Sequence, residues 1–553
     1  MRTAGFPLAL LFAGAATLDA QTGGADGVAI IPRPASVTTG HGTFLLTAKT
    51  AVWTNREDSA VARRFVQDIA PATGFDLRVR VGKPSGGSRI VFVRAAARDT
   101  GLGPEGYRLV VTPSAVTITS AAPAGAFYAT QTLRQLLPAE IFRDAPIAGA
   151  KWTIPAVTVV DRPRFAWRGM HLDVSRHFMP KEFVKKYIDL LALHKMNSFH
   201  WHLTDDQGWR IEIKKYPRLT SVGAWRSQTL IGKAQRDSTL DVYDHKPHGG
   251  FYSQDDVREI VEYARERFVR IVPEIEMPGH AQAAIAAYPS LGNFGDTVPV
   301  WTRWGVTPHI LNPSDTTIAF MQDVLTEVMA LFPGQFIHIG GDEAIKPEWK
   351  ASPRAQAKIK ALGITPDDAN NPRDFRAENE LQSWFTTQMD HFLTEHGRRL
   401  VGWDEILEGG LAPNAVVMSW RGTAGGLAAA RAGHDVIMTP GDYTYFDHYQ
   451  SQNTAAEPLA IGGFLPLDSV YAYEPVPAEL EPGFVSHILG AQGQVWTEYI
   501  EGPKNVEYMA FPREAALAEV LWTPQPRRDF ADFSARLPAE LRRLDALDVN
   551  YRR

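Results

Sequence analysis

From Val28 to Arg162 the chain alternates apolar and polar side chains in short runs, among them Arg89-Ile-Val-Phe-Val-Arg94, Tyr107-Arg-Leu-Val-Val-Thr112 and Ala115-Val-Thr-Ile-Thr119. A period of two puts alternate side chains on opposite faces of a sheet, and the turn residues between these runs predict antiparallel strands. Two stretches with helical spacing, Ser59 to Ala70 and Gly125 to Leu137, predict helices interleaved with that sheet. This part reads as a smaller α+β domain over residues 21–162, with Pro155 to Pro163 as the boundary segment.

After Arg164 the pattern changes to short apolar runs separated by longer amphipathic stretches, which predicts βα units around a parallel sheet. The runs are Arg168 to Leu172, Asn197 to Leu203, Arg270 to Ile275, Gln335 to Ile339, Arg399 to Gly402, Ala415 to Ser419, His434 to Met438 and Ile488 to Val495. Eight such strands are what a (β/α)8 TIM barrel over residues 163–553 requires. Pro180 before Phe183, Val184, Tyr187, Ile188 and Leu191 marks a helix start, and Ser253 followed by Asp256 has the spacing of a capping box.

Composition narrows the reading. The 553 residues are 44% hydrophobic and 22% charged, ordinary values for folded domains, and the length suits one large barrel with a smaller partner. A net charge of -5 supplies no basic surface for nucleic acid. With no cysteine in the chain, disulfides, thiolate metal sites and a thiol nucleophile are excluded, so any catalysis uses oxygen and nitrogen groups. The first residues, with Arg2 ahead of a short apolar run and small residues before Gln21, predict a signal peptide over 1–20. Cleavage is expected near Ala20 or Ala16, with export to the periplasm or the medium, and an uncleaved anchor is the alternative. No later stretch is long and apolar enough to span a membrane.

In a parallel barrel the chemistry sits just past the strand ends. Those positions carry Asp173 with Arg176 and His177, Asp205 and Asp206, Glu274 with Glu276 and His280, and Asp342 with Glu343. The later strands add Trp403 with Asp404 and Glu405, Trp420 with Arg421, Tyr445 with Asp447, and Trp496 with Glu498. A ring of carboxylates and tryptophans suggests a sugar site, since indoles stack on the CH face of a pyranose while carboxylates and arginine pair with its hydroxyls. The segment Phe336 to Glu343 is the most informative, an apolar strand ending in two glycines and then two acids. Adjacent acids do not flank a sugar from both faces as the two carboxylates of ordinary glycosidases do, so a different division of labour is expected: one acid protonates the leaving oxygen and the other steers a nucleophile that belongs to the substrate.

Four motifs, Trp167 to Phe178, His200 to Arg210, Pro273 to His280 and His338 to Glu343, resemble those of the family 20 β-N-acetylhexosaminidases, in family order and across nearly the whole chain. Gly402 to Glu405, Tyr445 to Asp447 and Gln494 to Glu498 fit the same pattern. The resemblance implies an N-terminal α+β domain before a catalytic barrel and exo-hydrolysis of terminal N-acetylglucosamine or N-acetylgalactosamine from oligosaccharides or glycoconjugates. It implies retention of configuration through an oxazolinium intermediate, with no cofactor or metal. By resemblance Glu343 is the general acid and base, Asp342 holds the acetamido group and Tyr445 donates to its oxygen, while Asp205 and His280 form a buried relay. Trp384, Trp403 and Trp496 are expected to wall the sugar, and Arg176, Asp447 and Glu498 to bind its hydroxyls.

Two other classes compete. His200-Trp-His202 puts two imidazoles on one face of a strand, as metal-dependent barrel hydrolases do, although later strands offer no matching constellation. A noncatalytic sugar-binding module on this fold is the other, and the Asp342-Glu343 pair argues against it. The polar, glycine-containing segment from Gly223 to Gly250 reads either as a substrate-side loop or as an exposed insertion.

Overall fold

The computed structural model describes residues 25–96, 100–368 and 370–553. The expected signal peptide lies outside them, and no described helix is long and apolar enough to cross a membrane.

The N-terminal domain is a seven-stranded sheet of β1 (Ser36–Leu46), β2 (Ala51–Thr54), β3 (Val79–Val81), β4 (Arg89–Arg94), β5 (Tyr107–Val111), β6 (Ala115–Ser120) and β7 (Trp152–Asp161), ordered β1-β7-β5-β6-β4-β2-β3. The sheet is mixed, which corrects the antiparallel expectation: β5 pairs antiparallel with β6 and β7, and β1 with β7, but β4 runs parallel to β6 and to β2, and β2 parallel to β3. The cause is the helix α1 (Ser59–Thr73) between β2 and β3, because a crossover helix returns the chain in its original direction whereas a hairpin reverses it. Helix α2 (Pro123–Leu136) is buried along nearly its whole length. It packs on both domains, with Tyr128 edge-on to Trp522 at 5.2 Å and Phe127 against Phe268 at 5.3 Å.

The second domain is a closed parallel barrel of β8 (Trp167–Asp173), β9 (Ser198–His202), β10 (Arg270–Glu274), β11 (Phe336–His338), β12 (Arg399–Trp403), β13 (Val416–Ser419), β14 (Val436–Met438) and β15 (Ile488–Gly493), closed by β15 pairing with β8. All eight expected strands are present. Outside them lie α3 (Lys181–Leu193), α4 (Gln254–Arg265), α5 (Asp315–Leu331), α6 (Arg376–Glu395), α7 (Ala424–Arg431) and α8 (Arg513–Trp522), followed by a closing helix α9 (Phe530–Ala546). The α4 capping box is formed, with Ser253 Oγ accepting from the Asp256 N–H at 3.1 Å and Asp256 accepting from the Ser253 N–H at 3.1 Å. Between β12 and β13 the chain has only a short 3-10 turn, Asp404–Leu407, in place of an α-helix.

Two-residue alternation sorts each strand. In β9, Phe199 packs on Tyr187 of α3 and Trp201 on Tyr252, whereas His200 and His202 point into the barrel. The barrel interior is layered. An apolar cluster that includes Trp167, Val272, Phe336, Val401, Val416 and Ile437 fills one part. A polar layer follows where the strand register sets Asp173, His202, Glu274 and His338 side by side. Above it the strand ends open into the site.

Candidate active site

The turn after β11 places the paired acids. Gly340 and Gly341 have φ of +67° and +93°, and a Cβ on Gly340 would lie 1.7 Å from Glu276 Oε2, so only glycine fits there. Glu343 itself has φ +45° and His280 φ +47°, backbone conformations that side-chain-bearing residues seldom adopt. Such strain, worth about 1 to 3 kcal/mol per residue, persists where the surroundings enforce it and concentrates at functional sites. Here it aims two of the expected groups at one point.

His280 Nε2 lies 3.4 Å from Glu343 Oε2 and 3.5 Å from Asp342 Oδ2, while its Nδ1 lies 3.2 Å from Asp205 Oδ1 and 3.4 Å from Asp206 Oδ2. Asp205 also binds Arg176 Nη2 at 2.8 Å. Long contacts of this kind are normal for acid-base pairs before substrate binds. Burial works against a proton on His280, but the charges of Asp205 and Asp342 outweigh it and hold the imidazole well above its ordinary range. The same imidazole pulls Glu343 down, and Glu343 is the one acid here with a side chain 41% exposed. Asp342 goes the other way: burial, helped by Glu274 and Glu343 against the pull of His280, lifts it to about 6. Neighbouring carboxyls are thus driven apart, the arrangement that separates acid from base roles.

Around the acids runs an aromatic wall. Trp403 and Trp496 lie 5.8 Å apart, and Trp420 stacks along Tyr445 at 6.2 Å. Buried carboxylates fix two of the indoles: Trp403 Nε1 donates to Glu274 Oε1 at 2.8 Å and Trp420 Nε1 to Glu405 Oε2 at 2.9 Å. Arg176 lies over Trp496 at 5.2 Å and Glu498 stands 4.0 Å from the guanidinium. Burial and the neighbouring Glu498 push Asp447 well above the ordinary carboxyl range. Asp342 Oδ1, Asp447 Oδ1 and His280 Nε2 are buried polar atoms with no hydrogen-bond partner in the protein, as expected of groups that a polar ligand satisfies. Together these residues enclose about 350 Å³, a volume in the range of small-molecule sites.

The structure brings Asp205, His280, Asp342, Glu343, Trp403, Tyr445, Asp447, Trp496, Glu498 and Arg176 to this pocket or to the relay behind it. Trp384 is the exception and corrects the expected wall. It sits half-buried on α6, packed beside Ile310, Trp349 and Leu381 with Lys358 Nζ 4.4 Å from its ring, because α6 lies outside the barrel. Trp420, from the end of β13, takes that place in the wall. The strand-end rule points to Trp420, since it directly follows the apolar run Val416–Ser419. His448 and Ile461 to Gly463 also line the pocket, and they come from a loop with no signature of its own. The segment from Gly223 to Gly250 folds beside it: Arg226 Nη1 donates to the Arg176 carbonyl at 2.7 Å and Lys233 Nζ to the Ile461 carbonyl at 3.3 Å.

His200 and His202 do face one side of β9, and His200 Nε2, 3.1 Å from Glu274 Oε2, and His202 Nδ1 converge on the Glu274 carboxylate. A larger cavity of about 820 Å³ lies at the opposite end of the barrel, between Arg64 of α1, Glu105, Tyr128 of α2 and the strand starts at Asn197 and Arg270. Its lining sets the acids Glu57, Glu105 and Glu266 among Arg63, Arg64, Arg265 and Arg270 and has no tryptophan, so the smaller pocket is the one that combines carboxyls with an indole wall.

Comparison with known proteins agrees with this geometry. Residues 165–525 match the family model of the glycosyl hydrolase family 20 catalytic domain, and residues 27–162 match domain 2 of the same family. A Porphyromonas gingivalis beta-hexosaminidase is 44% identical over 95% of this chain, which spans 64% of that relative's length. A solved β-N-acetylhexosaminidase from Streptomyces coelicolor A3(2) is 34% identical, covers 95% of this chain and 97% of its own, and superposes with a TM-score of 0.80. A mutant Streptomyces plicatus beta-hexosaminidase in complex with the product GlcNAc has a TM-score of 0.79 at 34% identity, covering 95% of this chain and 96% of its own.

Proposed function

This chain belongs to glycosyl hydrolase family 20, and from that premise we propose that it removes terminal β-linked N-acetylhexosamine from oligosaccharides or glycoconjugates by retaining, substrate-assisted hydrolysis. The observation that carries the reading is the adjacency of Asp342 and Glu343 just past the end of β11, both facing the one imidazole of His280. Two acids that reach the pocket from one turn do not flank a scissile bond, so the nucleophile comes from the substrate.

The acetamido oxygen attacks the anomeric carbon as Glu343 delivers a proton to the leaving oxygen. Asp342, as an anion, accepts from the acetamido N–H and balances the positive charge that cyclisation puts on the oxazolinium ring. Tyr445 donates to the attacking oxygen, and the tryptophans exclude water and press the carbonyl toward the anomeric centre. Water activated by Glu343 then opens the ring with overall retention. In the free site the proton sits on His280 rather than on Glu343. A sugar that covers Glu343 removes its water, raises its affinity for the proton and draws it from His280 Nε2. Arg176 and Asp447, both buried, and the half-buried Glu498 line the pocket and suit the hydroxyls of a terminal ring and so exo action. The apolar N-terminal segment supports export, so that substrate is met in the periplasm or the medium.

The test is release of nitrophenol from the aryl β-N-acetylglucosaminide compared with the aryl β-glucoside. Turnover of the acetamido sugar alone is the expected outcome. Equal rates on the plain glucoside would mean that the enzyme supplies its own nucleophile, and no turnover of either would favour a binding module.

A further inference from the structure

Behind the pocket a hydrogen-bonded chain runs through the barrel interior. The Glu274 carboxylate accepts from Trp403 Nε1 at 2.8 Å and from His202 Nδ1. His202 Nε2 in turn stands 3.0 Å from Asp205 Oδ2. All four chain members are essentially without solvent exposure. An ionised carboxylate only accepts, and a neutral imidazole has a single N–H, so carboxylates at both ring nitrogens require His202 to be doubly protonated. Burial opposes that charge, but Glu274 and Asp205 overcome it and hold His202 up at about 10.

We propose that His202 is a charge-bridging positioning residue for this reaction: its imidazolium joins Glu274, which fixes the Trp403 wall, to Asp205, which fixes Arg176 and His280, and it cancels one of the buried negative charges beside Asp342. The inference rests on the assignment of Asp342 and Glu343 as the reacting acids.

Arg176 and His280 supply positive charge at Asp205, but of the imidazoles at Glu274 only His202 also reaches Asp205. His171 on β8, whose ring is 5.6 Å from His202, and His200 on β9 are both driven toward the neutral form by burial. Asp173 on β8 adds a further negative charge. Around Glu274, His338 Nδ1 on β11 lies 2.8 Å away but accepts from the Gly340 N–H at 3.0 Å. Around Asp342 stand His280, Glu274, Glu343 and Asp205, while burial together with the charge of Asp342 pushes the neighbouring Glu276 and Glu405 up, toward their neutral forms. Asp342 is needed as an anion, so activity is lost as pH falls through its value of about 6.

Substitutions on the bridge therefore move that acid limb with opposite signs. His202→Gln removes a positive charge, Asp342 holds its proton to higher pH, and the limb of kcat/KM shifts up by about half a pH unit or more. Glu274→Gln removes a negative charge and shifts it down by a similar amount, about half a unit. The double variant is neutral at both positions, as the native pair is in sum, and returns the limb toward the wild-type position. A merely structural role would leave both limbs in place and make the double variant worse than either single one. The measurement is the pH profile of aryl N-acetylglucosaminide hydrolysis by the purified full chain, with melting curves alongside. Shifts of the same sign, no shift, or a double variant whose limb stays displaced from the wild-type position would overturn the proposal. If His202→Gln does not fold, the downward shift of Glu274→Gln decides alone, and its absence overturns the bridge. A wild-type enzyme inactive on the acetamido substrate would instead overturn the assignment of the acids.

Discussion

At the scale of single residues the site works by giving chemically similar groups different environments. Glu343 and Asp342 are neighbours in the chain, yet one is partly exposed and held down by His280 while the other is buried and raised to about 6. Glu343→Gln keeps the size and the positive φ, but exchanges one carboxylate oxygen for an amide NH2 and removes both the charge and the capacity to carry the transferred proton. We expect kcat on a poor leaving group to fall by about 10²- to 10⁴-fold, with a much smaller loss on an activated aryl leaving group and KM nearly unchanged. Steady-state kinetics on the two leaving groups check this, and equal losses on both would remove Glu343 from the acid role. Trp384 shows the limit of reading residues singly. An indole in a chain resembling a sugar hydrolase is easily assigned to the sugar, but its position on the outer helix α6 buries it among Ile310, Trp349 and Leu381. Trp420 is the better candidate by location, since it directly follows a strand.

At the scale of elements the decisive unit is the β11 turn. Three strand residues, two glycines in left-handed conformations and two acids leave no room for a side chain at Gly340, whose Cβ would meet Glu276. Gly340→Ala should therefore cost at least about 1 to 3 kcal/mol through strain and overpacking, and disturb Asp342 as well. A matched control is Gly502→Ala, where the backbone is extended and an added Cβ would meet nothing within 4 Å. Thermal melts and activity of the pair should separate clearly, and indistinguishable variants would refute the steric argument. The eight barrel strands are legible because each is a short run, most of them followed by an amphipathic helix. The mixed character of the N-terminal sheet is not, since alternation reports which face is buried and is silent on strand direction. That is fixed by whether α1 or a tight turn makes the connection.

At the scale of the molecule the two domains are joined by buried charge. Asp161, the last residue of β7, accepts from Tyr107 Oη at 2.7 Å, Lys195 Nζ at 3.0 Å, Trp522 Nε1 at 2.9 Å and the backbone N–H groups of Ala35 and Arg162 at 3.0 Å. Lys195 follows α3 and Trp522 ends α8, so one carboxylate ties the sheet to two barrel helices. Asp161→Asn leaves the Lys195 ammonium buried without its counter-charge, a loss of about 3 to 5 kcal/mol. Chemical denaturation should show the midpoint falling for both domains together; a change confined to one domain would mean that this contact does not couple them.

The sequence by itself determined the barrel, the pair of acids and most of the residues around them, because strand periodicity and strand-end chemistry are local properties written in consecutive residues. Only the tertiary structure decided which indoles face the pocket, since that depends on how helices dock outside the barrel. Likewise, His202 bridges Glu274 and Asp205 because the register of β9 against β10 sets the first two side by side, while the turn after β9 brings the third to the other ring nitrogen. Charge states in a buried network follow from which groups meet, and meeting is a property of the closed barrel rather than of any one strand.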